Sequence, residues 1–308
     1  MNTHDTQHAV GLIGLGRMGM AMAERLLEKG YQVVATDVEA AARSAAAEHG
    51  ADAYASVAEL VEHLPDGSPV WLMVPAQFVD DVLGELQDVV PAGTTIIDGG
   101  NSDYRESRRR HERLSESGLH FIDCGTSGGV EGARHGASLM AGGRSEVFAE
   151  HEHLFATLAT KNGYALVGGP GAGHFVKAVH NGIEYGMMGA MAEGIALLHE
   201  HEDEFGIELD EVFKPYEHGS IISSRLLSWL IAGKQKGLLA EVSGEVPVGE
   251  TEAKMQYLTS LGSLPVLEAA LAQRKQTRVE PSTTGQYIAI TRSEFGGHAT
   301  LPAEDDAK

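Results

Sequence analysis

The chain is poor in three things: it has one cysteine, two tryptophans and only 23 basic residues among its 308. The lone Cys124 excludes an intrachain disulfide framework and fits a reducing compartment, so the expected location is cytoplasmic. No apolar run approaches the roughly 18–20 residues that a membrane span needs. The opening MNTHDTQHAV is polar and acidic, without the basic-then-apolar order of a secretory signal. The shortage of cations, set against 44 acids, leaves a formal charge of −21. Such a surface repels nucleic acid and anionic lipid, and it does not steer an anionic substrate from a distance. It fits an ordinary acidic protein, and equally one adapted to high salt, where screening acts within about 3 Å at 1 M. With 43% hydrophobic and 22% charged residues, the rest of the composition is that of a soluble globular protein.

Glycine, by contrast, is plentiful at 38 residues, and its placement carries information. The apolar stretch AVGLI (9–13) runs directly into Gly14-Leu15-Gly16-Arg17-Met18-Gly19. A helical pattern and a second strand, YQVVATD, follow, and the second strand ends at Asp37. Strand, G-x-G-x-x-G, helix and strand in that order allow a pyrophosphate to approach a helix N-terminus, whose unpaired N–H groups bind anions. A carboxylate at position 37 accepts the ribose hydroxyls of an adenosine and repels a 2′-phosphate. The following Val38-Glu39-Ala40-Ala41 offers no cation, so NAD is the expected cofactor, with Arg43 the one nearby residue able to weaken that preference.

Further strands are expected at 69–74, 94–98, 119–123, 137–143 and 164–168, with helices at 77–87 and 103–117 among them. That alternation predicts an α/β, Rossmann-like doubly wound sheet. Ligands in such sheets sit beyond the carboxyl ends of the strands. Two glycine-bearing loops fall there, DGGNSDYRES and CGTSGGVEGARHG; each can be an anion cradle or simply a turn. Beyond GGPGAG helical periodicity takes over, through 172–202, 208–240 and 251–273. The expected division is a dinucleotide-binding domain of residues 1–168 and an all-α domain of residues 169–308 for substrate binding and dimerisation. The acidic HEHEDE and EHEH runs lack metal-ligand spacing and read as solvated faces, so no metal is expected.

The segment GAGHFVKAVHNGIEYGMMGAMAEG (171–194) is helical in pattern yet carries Lys177, His180, Asn181 and Glu184 within about 100° of arc. Val176, Val179, Ile183, Met187 and Ala190 fill the adjoining arc, expected to be a buried seam. Lys177 and Glu184 stand roughly 10 Å apart along the axis. That is too far for a salt bridge and suited to opposite ends of one small substrate.

GAGHFVKAVHNGIEY strongly resembles the corresponding segment of the decarboxylating 6-phosphogluconate dehydrogenases, as do IIDGGNSDYRES, GTSGGVEGARHGASLMAGG and RSEFGGHA. The length resembles the family's short form. The resemblance implies that Lys177 is the general base at the C3 hydroxyl and that Glu184 is the acid that protonates C1 after loss of CO₂. In that role the C1 protonated by Glu184 is C1 of the resulting enediol, and the resemblance further implies that Asn101, Ser127, Gly128, Gly129, His180 and Asn181 hold the sugar acid and that Tyr185 meets its phosphate. Val74 and Asn101 join Gly14, Leu15, Gly16, Arg17, Met18, Gly19 and Asp37 at the cofactor. Arg292 and His298 are expected to reach the site of a neighbouring subunit, in a homodimer or larger oligomer, with residues 303–308 disordered. One departure concerns the phosphate. Ser223 occupies a position where the family carries an arginine, which leaves Arg225, Lys254 and Arg278 as candidates. The rival activity is that of a non-decarboxylating 3-hydroxyacid dehydrogenase of the same superfamily. A rival of another class is a non-catalytic NAD-binding regulator.

Overall fold

The computed structural model describes residues 8–249 and 251–303, and the expectation for the last residues falls mostly outside them. The strands are β1 (Ala9–Ile13), β2 (Gln32–Thr36), β3 (Asp52–Tyr54), β4 (Val70–Leu72), β5 (Thr95–Asp98), β6 (His120–Ser127), β7 (Ala137–Gly142) and β8 (Ala159–Gly168). They form one eight-stranded sheet in the order β3-β2-β1-β4-β5-β6-β7-β8. Every pairing is parallel except β6 with β7.

Both faces of the central strands are apolar, and successive residues divide between them. Val33, Ala35, Trp71, Ile97 and Ile122 join a core with Met22 and Leu26 of the helix Arg17–Glu28 and with Leu154 and Phe155 of the helix Ser145–Leu158. Val34, Val70, Leu72, Ile96 and Phe121 face the other way, onto Leu60, Leu83, Leu86 and Leu114 from three further helices. A period of two with apolar residues on both sides requires cover on both sides, and this is the doubly wound arrangement. The order reverses between β1 and β4, so the crevice beyond their carboxyl ends is where the topology puts a ligand.

Three sequence expectations need adjustment. Asp52–Tyr54 is a strand, too short and too polar to show an apolar run. The strand expected to end at residue 123 continues to Ser127, held by antiparallel pairing as far as Ser127 with Ser138. The helices expected across 208–240 and 251–273 are each broken, between Leu209–Glu217 and Arg225–Gln235 and between Glu252–Thr259 and Pro265–Thr277. Gly219 at φ +85° interrupts the first, and Ser224 and Pro265 begin new helices. The tail also holds a helix of its own, Thr283–Gly296.

The chain divides into two compact units between Lys177 and Ala178, inside the long helix Ala172–Glu200. The second unit is helical. Met188, Ala192, Ile195 and Ala196 of the long helix pack there with Leu226, Leu230, Tyr287 and Ile290, and Tyr185 packs with Met255, Leu258, Leu267 and Leu271. No helix among the described residues is long and apolar enough to cross a membrane.

Beneath the β5 end lies a buried ionic network. Arg110, 3% exposed, donates to Ser102 Oγ at 2.9 Å, to Asp98 Oδ2 at 3.4 Å and to Asp80 Oδ2 at 3.0 Å. Asp98 is fully buried. Burial works to raise the Asp80 carboxyl, but Arg110, Arg109 and Arg113 outweigh it and hold Asp80 below its ordinary range. Stability from this network is therefore present above the usual carboxylate range and is lost as pH falls through the depressed Asp80 value. Removing the guanidinium leaves Asp98 buried with its charge uncompensated, which costs about 3–5 kcal/mol. Arg110→Ala is expected to lower the unfolding free energy from urea titration by that amount at neutral pH. A shift below 1 kcal/mol would contradict a structural role for the pair.

Candidate functional site

The turn after β1 is built to its glycines. Gly14 takes φ +97°, and a Cβ there would lie 2.6 Å from the Met73 carbonyl. A Cβ on Gly19 would collide with the Gly14 carbonyl, so the third glycine is what lets the helix leave the strand so closely. In front of Gly16 there is open space. The helix Arg17–Glu28 starts at Gly16 with no side-chain cap and no acid in its first turn, which suits its N–H groups to an anion. Leu15 N–H donates to Asp37 Oδ2 at 2.6 Å and Glu39 N–H to Oδ1 at 2.8 Å, fixing the carboxylate at the end of β2. Arg43 donates to the Asp37 and Val38 carbonyls at 2.7 and 3.2 Å, so this guanidinium sits beside the ribose position. Val74 lies between two turns, its side chain near Gly14 and its carbonyl near Gly100. These groups fit a dinucleotide.

Asn101 is half-buried in the turn after β5. Asp98 shapes that turn, accepting Gly100 N–H at 3.1 Å and Ser102 Oγ–H at 2.6 Å. Thr126 Oγ donates to the Gly99 carbonyl at 3.2 Å, which ties this turn to the end of β6. There Ser127 closes the strand, and Gly128 (φ +116°) and Gly129 (φ +63°) turn the backbone into the helix Gly129–His135. Lys177 belongs to the same neighbourhood: a Cβ on Gly125 would overlap the Lys177 stem, so the lysine lies directly on β6 two residues before Ser127. Within the first unit, then, the structure brings the Asn101 turn, the Ser127–Gly129 loop and Lys177 together.

In the second unit the polar residues of the long helix stand in order. His180 Nδ1 is 3.3 Å from Asn181 Oδ1 and 3.8 Å from Glu184 Oε2. Tyr185 is buried; its hydroxyl shares a 2.8 Å hydrogen bond with Thr251, and the Arg274 guanidinium stacks on its ring at 3.4 Å. Burial pushes Arg274 down to about 10, Arg292 adds to that lowering, and Tyr185, Glu184 and Glu252 act against it. Arg278 pairs with both Glu252 oxygens at 3.0 and 2.8 Å. Arg292 is 6% exposed within its own unit, where it reaches the Pro247 carbonyl at 3.4 Å; burial lowers its pKa, with Tyr185 and Glu252 opposing. Its guanidinium is therefore seated near Tyr185 of the same chain. His298 differs. It lies exposed, beyond the left-handed Gly297 that ends the last helix.

Arg274 and Thr251 were not expected from the sequence. Arg274 stands at the spacing of Leu267, Ala270 and Leu271 on the buried face of its helix, and a cation at a core position is the signal that marks it. The candidates Arg225 and Lys254, and Ser223 at the position where the family carries an arginine, lie apart from this cluster or at its edge. Ser223 is exposed and donates to the Glu217 carbonyl, Arg225 covers the Trp229 ring at 5.0 Å, and Lys254 sits half-buried on the helix Glu252–Thr259. The seam expected to be buried is not. Val179, Ile183 and Met187 are exposed, Ile183 by 61%, because the chain packs the arc of Asn181, Tyr185, Met188 and Ala192 instead. Among the described residues no group of three or more His, Cys, Asp or Glu could hold a metal.

Residues 9–168 match the NAD binding domain of 6-phosphogluconate dehydrogenase, and residues 173–236 match the C-terminal domain of the same enzyme. The chain is 38% identical to the NAD(+)-dependent, decarboxylating 6-phosphogluconate dehydrogenase of Haloferax volcanii, over 96% of this chain and 99% of that one. Its fold is similar to that of Plasmodium falciparum 6-phosphogluconate dehydrogenase, with a TM-score of 0.75 at 24% identity, covering 97% of this chain and 67% of that one. The 3-hydroxyisobutyrate dehydrogenase of Mycobacterium tuberculosis gives 0.72 at 19% identity, over 94% and 99% of the two chains. With both halves matched in order and a relative this similar along its whole length, the chain belongs to the 6-phosphogluconate dehydrogenase family of NAD(P)-binding oxidoreductases.

Proposed function

We propose that the protein is a short-chain, NAD-dependent 6-phosphogluconate dehydrogenase. It would convert 6-phosphogluconate to ribulose 5-phosphate and CO₂ in the pentose phosphate pathway. The observation that carries this reading is one helix bearing both Lys177, laid on β6 beside the Ser127–Gly129 loop, and Glu184 two turns later. The Haloferax volcanii relative carries the same activity in its name.

Bound NAD supplies the acceptor for the hydride leaving C3. The remaining work falls to this chain. Lys177 accepts the C3 hydroxyl proton as the hydride departs, and the resulting ammonium polarises the C3 ketone. The bond from C2 to the C1 carboxylate then breaks, CO₂ leaves, and the electron pair is held as an enediol as the Lys177 ammonium returns its proton to the C3 oxygen. Glu184 delivers a proton to the carbon that lost CO₂ while Lys177 takes the hydroxyl proton back, giving the ketopentose. Asn101, Ser127, Gly128, Gly129, His180 and Asn181 hold the hydroxyls and the carboxylate. The phosphate is drawn to Tyr185, Arg274, Arg278 and Arg292, because a dianion beside buried guanidinium groups offsets their desolvation. This cluster supplies cations that a chain of net charge −21 offers sparsely elsewhere.

We further propose that the working unit is a homodimer in which a second copy covers the exposed stripe of Phe175, Val179, Ile183 and Met187 and presents its His298 to the neighbouring site.

Four outcomes are expected. With 6-phosphogluconate, NADH formation and CO₂ release should run at equal rates; NADH without CO₂ would point to a 3-hydroxyacid dehydrogenase. Lys177→Met should abolish both signals, whereas Glu184→Gln should keep hydride transfer in a single turnover and lose about 10²-fold in steady state. Wild-type kcat in Glu184→Gln would make that carboxylate structural. For the cofactor, kcat/KM should favour NAD over NADP by about 10²-fold, the scale of a partly exposed charge clash. Asp37→Ser should narrow the gap by raising efficiency with NADP, while equal efficiencies in the unmodified enzyme would remove Asp37 from the explanation. Finally, inactive Lys177→Met and His298→Ala chains, mixed and allowed to exchange, should recover activity in hybrids. No recovery despite proven exchange would mean that each site is built from one chain.

A further inference from the structure

The long helix begins in an unusual way. A helix N-terminus leaves N–H groups unpaired, and a nearby side chain in sequence normally takes one of them. Here the acceptor comes from strand β6. Asp123, 1% exposed, accepts Gly171 N–H on Oδ1 at 2.7 Å and His174 N–H on Oδ2 at 2.8 Å. The cap is therefore a tertiary tie, and it fixes the helix to the strand that ends in the Ser127–Gly129 loop.

A second lock lies behind it. His174 is 3% exposed, and its Nδ1 is 2.7 Å from Ser107 Oγ and 3.9 Å from Asp123 Oδ2. Ser107, fully buried, can donate to the Asp103 carbonyl at 3.2 Å. The tautomer with a proton on Nδ1 satisfies this chain in one direction, His174 donating to Ser107 and Ser107 to Asp103; it leaves Nε2, buried and without a hydrogen-bond partner, as a bare acceptor. Glycine completes the joint. A Cβ on Gly173 would strike the Asp123 and Met140 carbonyls, and one on Gly142 would lie 2.5 Å from Gly173 N.

We infer that Asp123 and His174, backed by Ser107, are positioning residues for Lys177, setting the height and rotation at which its amine stands over β6. The inference rests on reading Lys177 as the base. Lys177 follows His174 by three residues, about 4.5 Å of helix rise. A shift of the first turn is passed to the lysine almost undiminished, and 1 Å of misplacement at a reacting group costs up to about 10²-fold in rate. Asp123 and Ser107 act through the helix start, where their hydrogen bonds lie.

The test uses the full-length protein with saturating NAD and varied 6-phosphogluconate, well below the Tm of each variant. Asp123→Asn keeps the size but replaces one acceptor with a donor facing an N–H. Ser107→Ala removes a single hydrogen bond and serves should Asp123→Asn not fold. Asp123→Asn is expected to lose about 10- to 100-fold in kcat and Ser107→Ala about 3- to 10-fold. KM for NAD should stay within about twofold in both, and the acid limb of the kcat/KM pH profile should move, which a purely structural cap would not cause. Unchanged kcat and an unchanged limb in folded variants, or a loss that follows only the unfolded fraction, would overturn the inference. Lys177→Met is the control. Turnover surviving in it would overturn the base assignment itself; a dead Lys177→Met beside wild-type cap variants would overturn the positioning role alone.

Discussion

Backbone meets backbone where the long helix leaves the sheet, and the placing of Lys177 depends on that steric condition. Gly125, Gly142 and Gly173 are each in contact with atoms that a Cβ would displace. Their small size lets a helix N-terminus sink onto the ends of β6 and β7, close enough for one carboxylate on β6 to take two of its N–H groups. From that joint follows the seat of Lys177 on the strand. Cys124, between the capping aspartate and the glycine under the lysine, is wholly buried, and burial pushes its thiol well up. It acts as a small space-filling residue there, not as a nucleophile.

Charge is distributed with a similar economy. The exterior is acidic, yet three arginines, Arg110, Arg274 and Arg292, are almost fully buried. Their surroundings differ. Arg110 is matched by Asp80, Asp98 and a serine, so its charge is neutralised inside the protein and its work is to hold the Asn101 turn in shape. Arg274 has the face of a tyrosine and a methionine sulfur. Arg292 has a carbonyl oxygen. Arg110 thus bonds carboxylates directly, whereas Arg274 and Arg292 touch a ring, a thioether and a carbonyl, with Glu252 acting on both only through its charge.

What the sequence made legible follows the physics of each signal. β1, β2 and β5 were readable because their apolar runs end at Gly14, Asp37 or Asp98, where chemistry changes abruptly. Glycine beside polar residues marked the Ser127 loop only as a cradle or a turn, and the roles expected of Ser127 and Lys177 came from the family resemblance. Asp52–Tyr54 was not, since three residues carry no period. The arc of Val179, Ile183 and Met187 was legible as apolar but not as exposed, because periodicity says a face wants cover and is silent on whether the same chain provides it. Arg274 was hidden for the opposite reason: a long charged residue on a helix reads as surface until its neighbours are known to be core. The Asp123 cap was beyond reach, since its partners lie 48 and 51 residues away.

Each of the two tryptophans falls in a different unit. Trp71, in β4, is 1% exposed, with its indole N–H on the Met73 sulfur at 3.2 Å and its ring against Gly99, at the base of the Asn101 turn. Trp229 is half-buried, with the Arg225 guanidinium 5.0 Å from its ring centre and Phe295 on another side. The chain thus carries two native fluorophores of different colour: a blue-emitting indole in the apolar interior of the sheet, and a redder, cation-neighboured one among the helices. Melting of either unit can be followed by its own light, without a label.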